Sequence, residues 1–209
     1  MKLYIYEHCP FSARVRYVAG MLNIQLDVIN LAYDDNTTTT DLIGTKQVPL
    51  LVKDSREVMA ESLDIIAYFL KLAESGETNQ PSQPVLDWQN IAFLPLQKVG
   101  YPRWSTMNLP EFTTASARHA WRVKKETDAL NFDALLQDTP KIAKEVEVLI
   151  ERAKSVLDLE ACQRATLVDE AIVFSILRGF FSAAAIQWDP TVKHWMESVS
   201  HKAQVPLLK

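Results

Sequence analysis

The feature that most constrains the fold is a strand–helix–strand run at the very start of the chain. Lys2–Tyr6 is a short aromatic and aliphatic strand candidate. Val15, Val18, Ala19 and Leu22 then repeat at the i, i+3, i+4, i+7 spacing of a buried helix face. Gln25–Leu31 follows as a second strand candidate, with Leu26, Val28 and Ile29 as its apolar mass. Two strands joined in this way must lie parallel, because only a crossover connection spans the geometry. Gly20 sits inside the helical pattern and weakens it. Asp34–Asp41 reads as loop or frayed helix. Val48–Val52 reads as a strand with Pro49 at its entry, where proline is tolerated. Glu57–Met59 returns after a turn as a short antiparallel strand, and helical periodicity resumes from Glu61 with Leu63, Ile66, Ala67 and Leu70. The expectation for residues 1–73 is a four-stranded mixed sheet with helices on its faces. A unit of that size is marginal alone.

What supports it is the rest of the chain. Residues 74–84, rich in Ser, Gly, Glu, Thr, Asn, Gln and Pro, read as an exposed linker, and residues 85–209 read as almost wholly helical. The expected helices are Val85 to about Val99, bent at Pro95; Thr113–Asp128, with Trp121 and Val123 facing inward; and an amphipathic run through Ile142, Val146, Leu149, Ala153 and Val156-Leu157. Thr166-Leu167-Val168-Asp169 spells a capping box. The helix it opens, Leu167 to about Ala185, is apolar nearly all round and belongs at the centre of a bundle. Pro190 starts a last helix carrying Val192, Trp195 and Val199. Hydrophobic residues at 48% supply the core this needs.

One constellation carries chemistry: Glu7-His8-Cys9-Pro10-Phe11-Ser12, at the junction of the first strand and first helix. Proline is suited to a first helical position, so Cys9 falls at the helix mouth, among backbone amides without intrahelical partners. Those amides and the helix dipole favour thiolate over thiol, predicting a Cys9 pKa lowered toward neutrality. Ser12 lies one helical turn on, over Cys9. Serine can donate a hydrogen bond to sulfur but cannot close an intramolecular disulfide, so only one-thiol exchange remains, with a separate small thiol resolving the mixed disulfide. Two cysteines, Cys9 and Cys162, are too few for a disulfide scaffold and fit a reducing, cytoplasmic compartment. The N-terminal run has no apolar stretch long enough for a signal peptide, and Ile172–Trp188 is too short and polar to span a membrane. A net charge of −4 offers no general attraction to nucleic acid or anionic lipid.

MKLYIYEHCPFS, GTKQVPLL, ESLDIIAYF and LVDEAIVFSILR, in that order and spacing, make the chain resemble the bacterial glutaredoxin 2 family, glutaredoxins built like glutathione transferases. The resemblance implies a thioredoxin-like N-terminal domain followed by an all-helical glutathione-transferase-like domain. It also implies glutathione as co-substrate, glutathionylated proteins or small mixed disulfides as partners, no metal, and a monomer. It makes Cys9 the nucleophile, with Pro10, Phe11 and Ser12 modulating it. Pro49 matches a cis-proline facing the cysteine, and Val48 the residue whose backbone pairs with the cysteinyl part of glutathione. Glu61 and Ser62 match a pair that holds the γ-glutamyl end, and Lys46 and Gln47 would line the same groove. The family usually has Cys-Pro-Tyr-Cys where this chain has Cys9-Pro10-Phe11-Ser12. Dithiol reduction is thereby lost, while removal of glutathione from mixed disulfides remains.

Two alternatives stand beside this reading: a glutathione transferase joining glutathione to electrophiles, and a non-enzymatic glutathione-binding or scaffold protein. His8 reads as a loop histidine, Arg14 and Arg16 as solvated helix charges, and Cys162 as structural or merely exposed. His119, His194 and His201 have no metal-ligand spacing. The five tryptophans read as helical core and interdomain packing, with an aromatic cleft between domains as an option.

Overall fold

The computed structural model describes residues 1–161 and 165–209; Cys162 lies outside the described residues. The first half is built on strand β1 (Lys2–Ile5), helix α1 (Pro10–Met21), strand β2 (Asp27–Asn30), short helix α2 (Thr38–Ile43), strands β3 (Leu50–Val52) and β4 (Val58–Met59), and helix α3 (Ser62–Leu72). The sheet order is β2-β1-β3-β4. β1 pairs parallel with β2, Leu3 opposite Val28, and antiparallel with β3, Leu3 opposite Leu51. The mixed sheet is as expected. β2 is an edge strand, however, and Val28 is among the exposed large apolar residues rather than in the core. The polar Asp34–Asp41 stretch is partly helical, because Asp35 accepts the Thr37 and Thr38 amides (2.8 and 3.0 Å) just ahead of α2.

The second half comprises α4 (Gln83–Trp104), a 3₁₀ turn at Pro110–Phe112, α5 (Ala115–Lys125), α6 (Phe132–Gln137), α7 (Thr139–Val156), α8 (Leu167–Phe180) and α9 (Pro190–Ala203). α4 runs through Pro95 and on past Val99, also through Pro102, to Trp104. The backbone bonds those prolines cannot make are offset by burial of Leu96, Val99 and Trp104. The expected Thr113–Asp128 helix is confined to α5, whose Trp121 is buried as expected while Val123 points outward, 70% exposed. Every residue of α8 is buried, so the expected central helix is there, ending five residues sooner at Phe180. Thr166 caps it by accepting the Asp169 amide (3.2 Å). The reciprocal half of the capping box is replaced: Asp169 instead accepts the Ser82 amide (2.8 Å), and Glu77 accepts the Leu167 amide (2.6 Å). These bonds fasten the exposed connecting segment to the helix N-terminus, where the dipole favours carboxylates.

The two halves share one core. α1 packs on α8 and on α9. Gly20 explains itself there: a Cβ at this position would run into the Ala203 carbonyl at the end of α9. Among the described residues no helix is long and apolar enough to cross a membrane.

Candidate active site

Cys9 is the N-cap of α1, with extended backbone (φ −68°, ψ 121°) and Pro10 in the first turn. Its amide donates to the Tyr6 carbonyl (3.1 Å), closing the turn that carries the chain from β1 into the helix. The segment before it is anchored from the helical half. Glu111, fully buried in the 3₁₀ turn, accepts both the His8 amide (2.9 Å) and the His8 ring Nδ1–H (2.6 Å) through one carboxylate oxygen. Arg178 from α8 donates to the Glu7 carbonyl (2.6 Å), binds the Glu7 carboxylate, and reaches the Pro206 carbonyl (2.6 Å). Both residues preceding Cys9 are thus held by groups far away in sequence.

Burial pushes the His8 pKa down despite its bond to Glu111, so the ring is neutral at pH 7. Burial acts to raise the Glu111 carboxyl, but the bonds from the His8 ring and amide outweigh it and leave the pKa lowered. An ionised carboxylate can only accept, which fixes the proton on His8 Nδ1. His8 also stacks on Trp104 and Phe112 and meets the edge of Trp121 (ring centroids 5.1, 5.3 and 4.7 Å). It is an interdomain anchor and not a free loop histidine; sequence could not reveal the partner that buries it. The arginines are likewise not solvated charges. Arg14 is buried, donates to Gln89 (2.8 Å) and lies over the Phe11 ring (4.8 Å), and burial lowers its pKa to about 10. Arg16 is paired with Glu7 (2.8 Å).

A cleft of about 680 Å³ opens between the halves. One side is lined by Cys9, Pro10, Phe11, Lys46, Gln47 and Val48. Facing them across the cleft are Phe93, Tyr101 and Trp104 from α4 and Trp121 and Lys125 from α5. Cys9 is only 8% exposed, yet it lines this space. Lys46 donates to the Tyr33 carbonyl and to Asn36 (3.1 Å). Gln47 donates to Glu61 (2.7 Å), linking the cleft rim to the start of α3. Val48-Pro49 is a cis peptide, and among the described residues nothing bonds the Val48 amide or carbonyl. Pro49, Glu61, Ser62 and Ser12 do not line the cleft itself. Glu61 precedes α3 with φ 64°, Ser62 is buried in the first turn, and no side chain caps that helix.

The expected lowering of the Cys9 pKa is not what the geometry produces. Burial raises it, and outweighs the Ser12 hydroxyl, the Ser12 and Phe11 amides and the Arg14 charge, all of which favour the anion. The amide cluster is in place, but desolvation in a largely enclosed position is the larger effect. The Ser12 hydroxyl is buried with no hydrogen-bond partner in the resting site, so it is available to a sulfur anion. Sequence reasoning missed Tyr33, Tyr101, Glu111 and Lys125, all of which reach the site only through the tertiary fold; the five tryptophans and the optional aromatic cleft were the hint, and Trp104 and Trp121 do form an aromatic wall. Among the described residues no group of three or more His, Cys, Asp or Glu side chains is placed to hold a metal.

A thioredoxin-like sheet unit followed by a helical bundle, with a cysteine capping the first helix beside the cleft between them, defines the glutathione-transferase-fold class. Residues 3–80 match the family described as glutathione S-transferase, N-terminal domain, and residues 84–209 the family described as glutaredoxin 2, C-terminal domain. The chain is 32% identical over 210 aligned residues to glutaredoxin 2 of Escherichia coli (strain K12), covering 100% of this chain and 98% of the relative. The crystal structure of glutaredoxin 2 from Salmonella typhimurium in complex with glutathione has a TM-score of 0.90 at 29% identity, over 99% of this chain and 96% of that one. A theta class glutathione S-transferase from Xanthomonas axonopodis pv. citri, with glutathione bound, shares the fold: TM-score 0.59 at 14% identity, over 100% and 97% of the chains. The chain belongs to the glutaredoxin 2 family.

Proposed function

We propose that the protein is a glutathione-dependent thiol–disulfide oxidoreductase of monothiol mechanism, acting on protein–glutathione or small-molecule–glutathione mixed disulfides through Cys9. The observation that carries this is the placement of Cys9 at the mouth of α1, lining the interdomain cleft opposite an aromatic wall, with Ser12 rather than a second thiol one turn on.

Glutathione lies along Lys46-Gln47-Val48. The free amide and carbonyl of Val48 support pairing with the cysteinyl backbone of the tripeptide, as an added strand pairs with a sheet edge. The uncapped first turn of α3 at Ser62 supports binding of the γ-glutamyl carboxylate, with the Glu61 carboxylate beside it for the ammonium. Pro49 backs Val48 from a buried position. The Cys9 thiolate attacks the glutathione sulfur of the mixed disulfide; that S–S bond breaks, and the departing thiolate takes a proton from solvent. The thiolate of a second glutathione attacks the glutathione sulfur of Cys9–S–SG, releasing glutathione disulfide and regenerating the Cys9 thiolate. Amides at Phe11 and Ser12 and the Ser12 hydroxyl hold the charge on sulfur between steps. This cycle needs a reducing glutathione pool, which supports a cytoplasmic setting. A serine-type transferase would have to use Ser12, which is buried and off the cleft.

The test is glutathione-coupled reduction of a small glutathione mixed disulfide by wild type and by Cys9→Ser. Turnover in wild type and near-complete loss in the variant is the expected result. Activity that survives the substitution moves the chemistry to glutathione's own thiol and the transferase reading; none in either protein leaves a binding protein.

A further inference from the structure

Cys9 presents a problem that its own domain does not solve. Burial disfavours the sulfur anion, and the nearest cation in sequence, Arg14, favours it without overcoming that cost. Arg14 is buried, bonded to Gln89 and laid over Phe11. Arg16 and Arg178 both serve Glu7. Lys46 is tied to the Tyr33 carbonyl and Asn36. Of the other titratable groups around the cleft, His8 is held uncharged by burial, and Tyr6, Tyr33 and Tyr101 are all pushed up by burial, Tyr33 to about 12. Lys124 lines the cleft from an exposed position, and the ionised Glu111 behind His8 adds negative charge that opposes an anion.

Lys125 is different. It sits in the last turn of α5, half-buried in the same cleft as Cys9, with its amine 5.1 Å from the Tyr101 ring centre and 5.6 Å from that of Trp121. Among the described residues no carboxylate or other acceptor is paired with it. A cation held against two ring faces without a counter-ion is placed to receive an anion. Burial lowers its pKa, and the one opposing influence is the charge of Cys9.

We propose that Lys125 is the counter-cation of the Cys9 thiolate, so that the helical domain supplies the charge that makes the nucleophile of the thioredoxin-like domain reactive. The thiol proton leaves to solvent; Lys125 stays protonated, and its ammonium offsets the charge on sulfur before attack and again when Cys9 is released from the mixed disulfide. Lys125 is a positioning residue in electrostatic terms, acting through Cys9. This rests on the oxidoreductase reading for its biological meaning, but its test does not depend on turnover.

The experiment follows the rate of Cys9 alkylation by iodoacetamide against pH in the full chain, for wild type, Lys125→Met, Lys125→Gln and Lys125→Arg, each checked by thermal unfolding. Removing an opposite charge beside a thiolate shifts its titration upward by about one pH unit or more. The Met and Gln variants are expected to alkylate roughly tenfold more slowly near neutral pH, with the same limiting rate at high pH, and Arg is expected to restore the wild-type midpoint. Glutathione-coupled turnover falls in the same order if the oxidoreductase reading is right. An unmoved midpoint in a folded Met or Gln variant overturns the proposal. So does a rise in KM for glutathione with an unmoved midpoint, which assigns Lys125 to a ligand carboxylate. A shifted midpoint in a protein with no turnover upholds the pairing and removes only the enzymatic reading.

Discussion

Glu111→Ala is the sharpest probe of how the helical half holds the segment carrying Cys9. Glu111 is fully buried, and one of its oxygens accepts two bonds from His8, at 2.9 Å from the amide and 2.6 Å from the ring. Alanine leaves both donors in place, in a shell of Trp104, Phe112 and Trp121 that offers no acceptor from its ring faces. Each buried donor left unmatched costs about 1–3 kcal/mol, so the pair predicts a loss of roughly 2–6 kcal/mol. The other carboxylate oxygen has no partner, which makes part of the charge's burial a cost that alanine relieves and favours the lower half of that range. For a chain of this size each kcal/mol moves Tm by about 2–4 °C. The assay is urea unfolding followed by tryptophan fluorescence, with Cys9 alkylation in native buffer as a second readout; faster alkylation is expected as the loop loosens. A loss below about 1 kcal/mol with unchanged alkylation would refute the reasoning, because it would mean that His8 finds other partners and that Glu111 anchors nothing.

Gly20→Ala in an exposed helix would stabilise by about 1 kcal/mol; here the added Cβ meets the Ala203 backbone, so the variant is expected to be destabilised by roughly 1–3 kcal/mol in urea melts, and a gain would sink the close approach of α1 to α9. Stability should fall with acidification from about pH 6.5, the unfolded histidine value. His8 has a lowered folded pKa, so the unfolded chain takes up the proton first; the contribution of Glu111, also lowered, is lost further down as pH falls through the carboxylate range. A Tm that is flat from pH 7 to pH 5, or a His8→Asn variant with the same pH slope as wild type, would contradict this assignment.

The strands, the position of Cys9 at the start of α1 and the fully buried α8 were legible in the chain because each rests on local patterning: alternation, 3.6-residue periodicity, a proline that opens a helix, a threonine that caps one. Those signals operate over a few residues and survive translation into three dimensions. Val28 and Val123 were misread because apolar character says where a residue prefers to be, and not whether its strand lies at the sheet edge or its helix turns that face to solvent. His8 and Arg14 were misread for the converse reason: both are polar, and only partners many residues away, Glu111 and Gln89, make their burial tolerable.

By itself the sequence determined that one thiol acts here without a second beside it, since Ser12 admits no disulfide, and that the thiol lies among helix-terminal amides. Whether that sulfur prefers to be charged is a different kind of quantity. It depends on how much water the helical half removes from around Cys9 and which charges it brings back, so it belongs to the docking of α4 and α5 over the cleft and not to any neighbour along the chain. Electrostatic energies are set by distance and dielectric, and both are properties of the packed molecule.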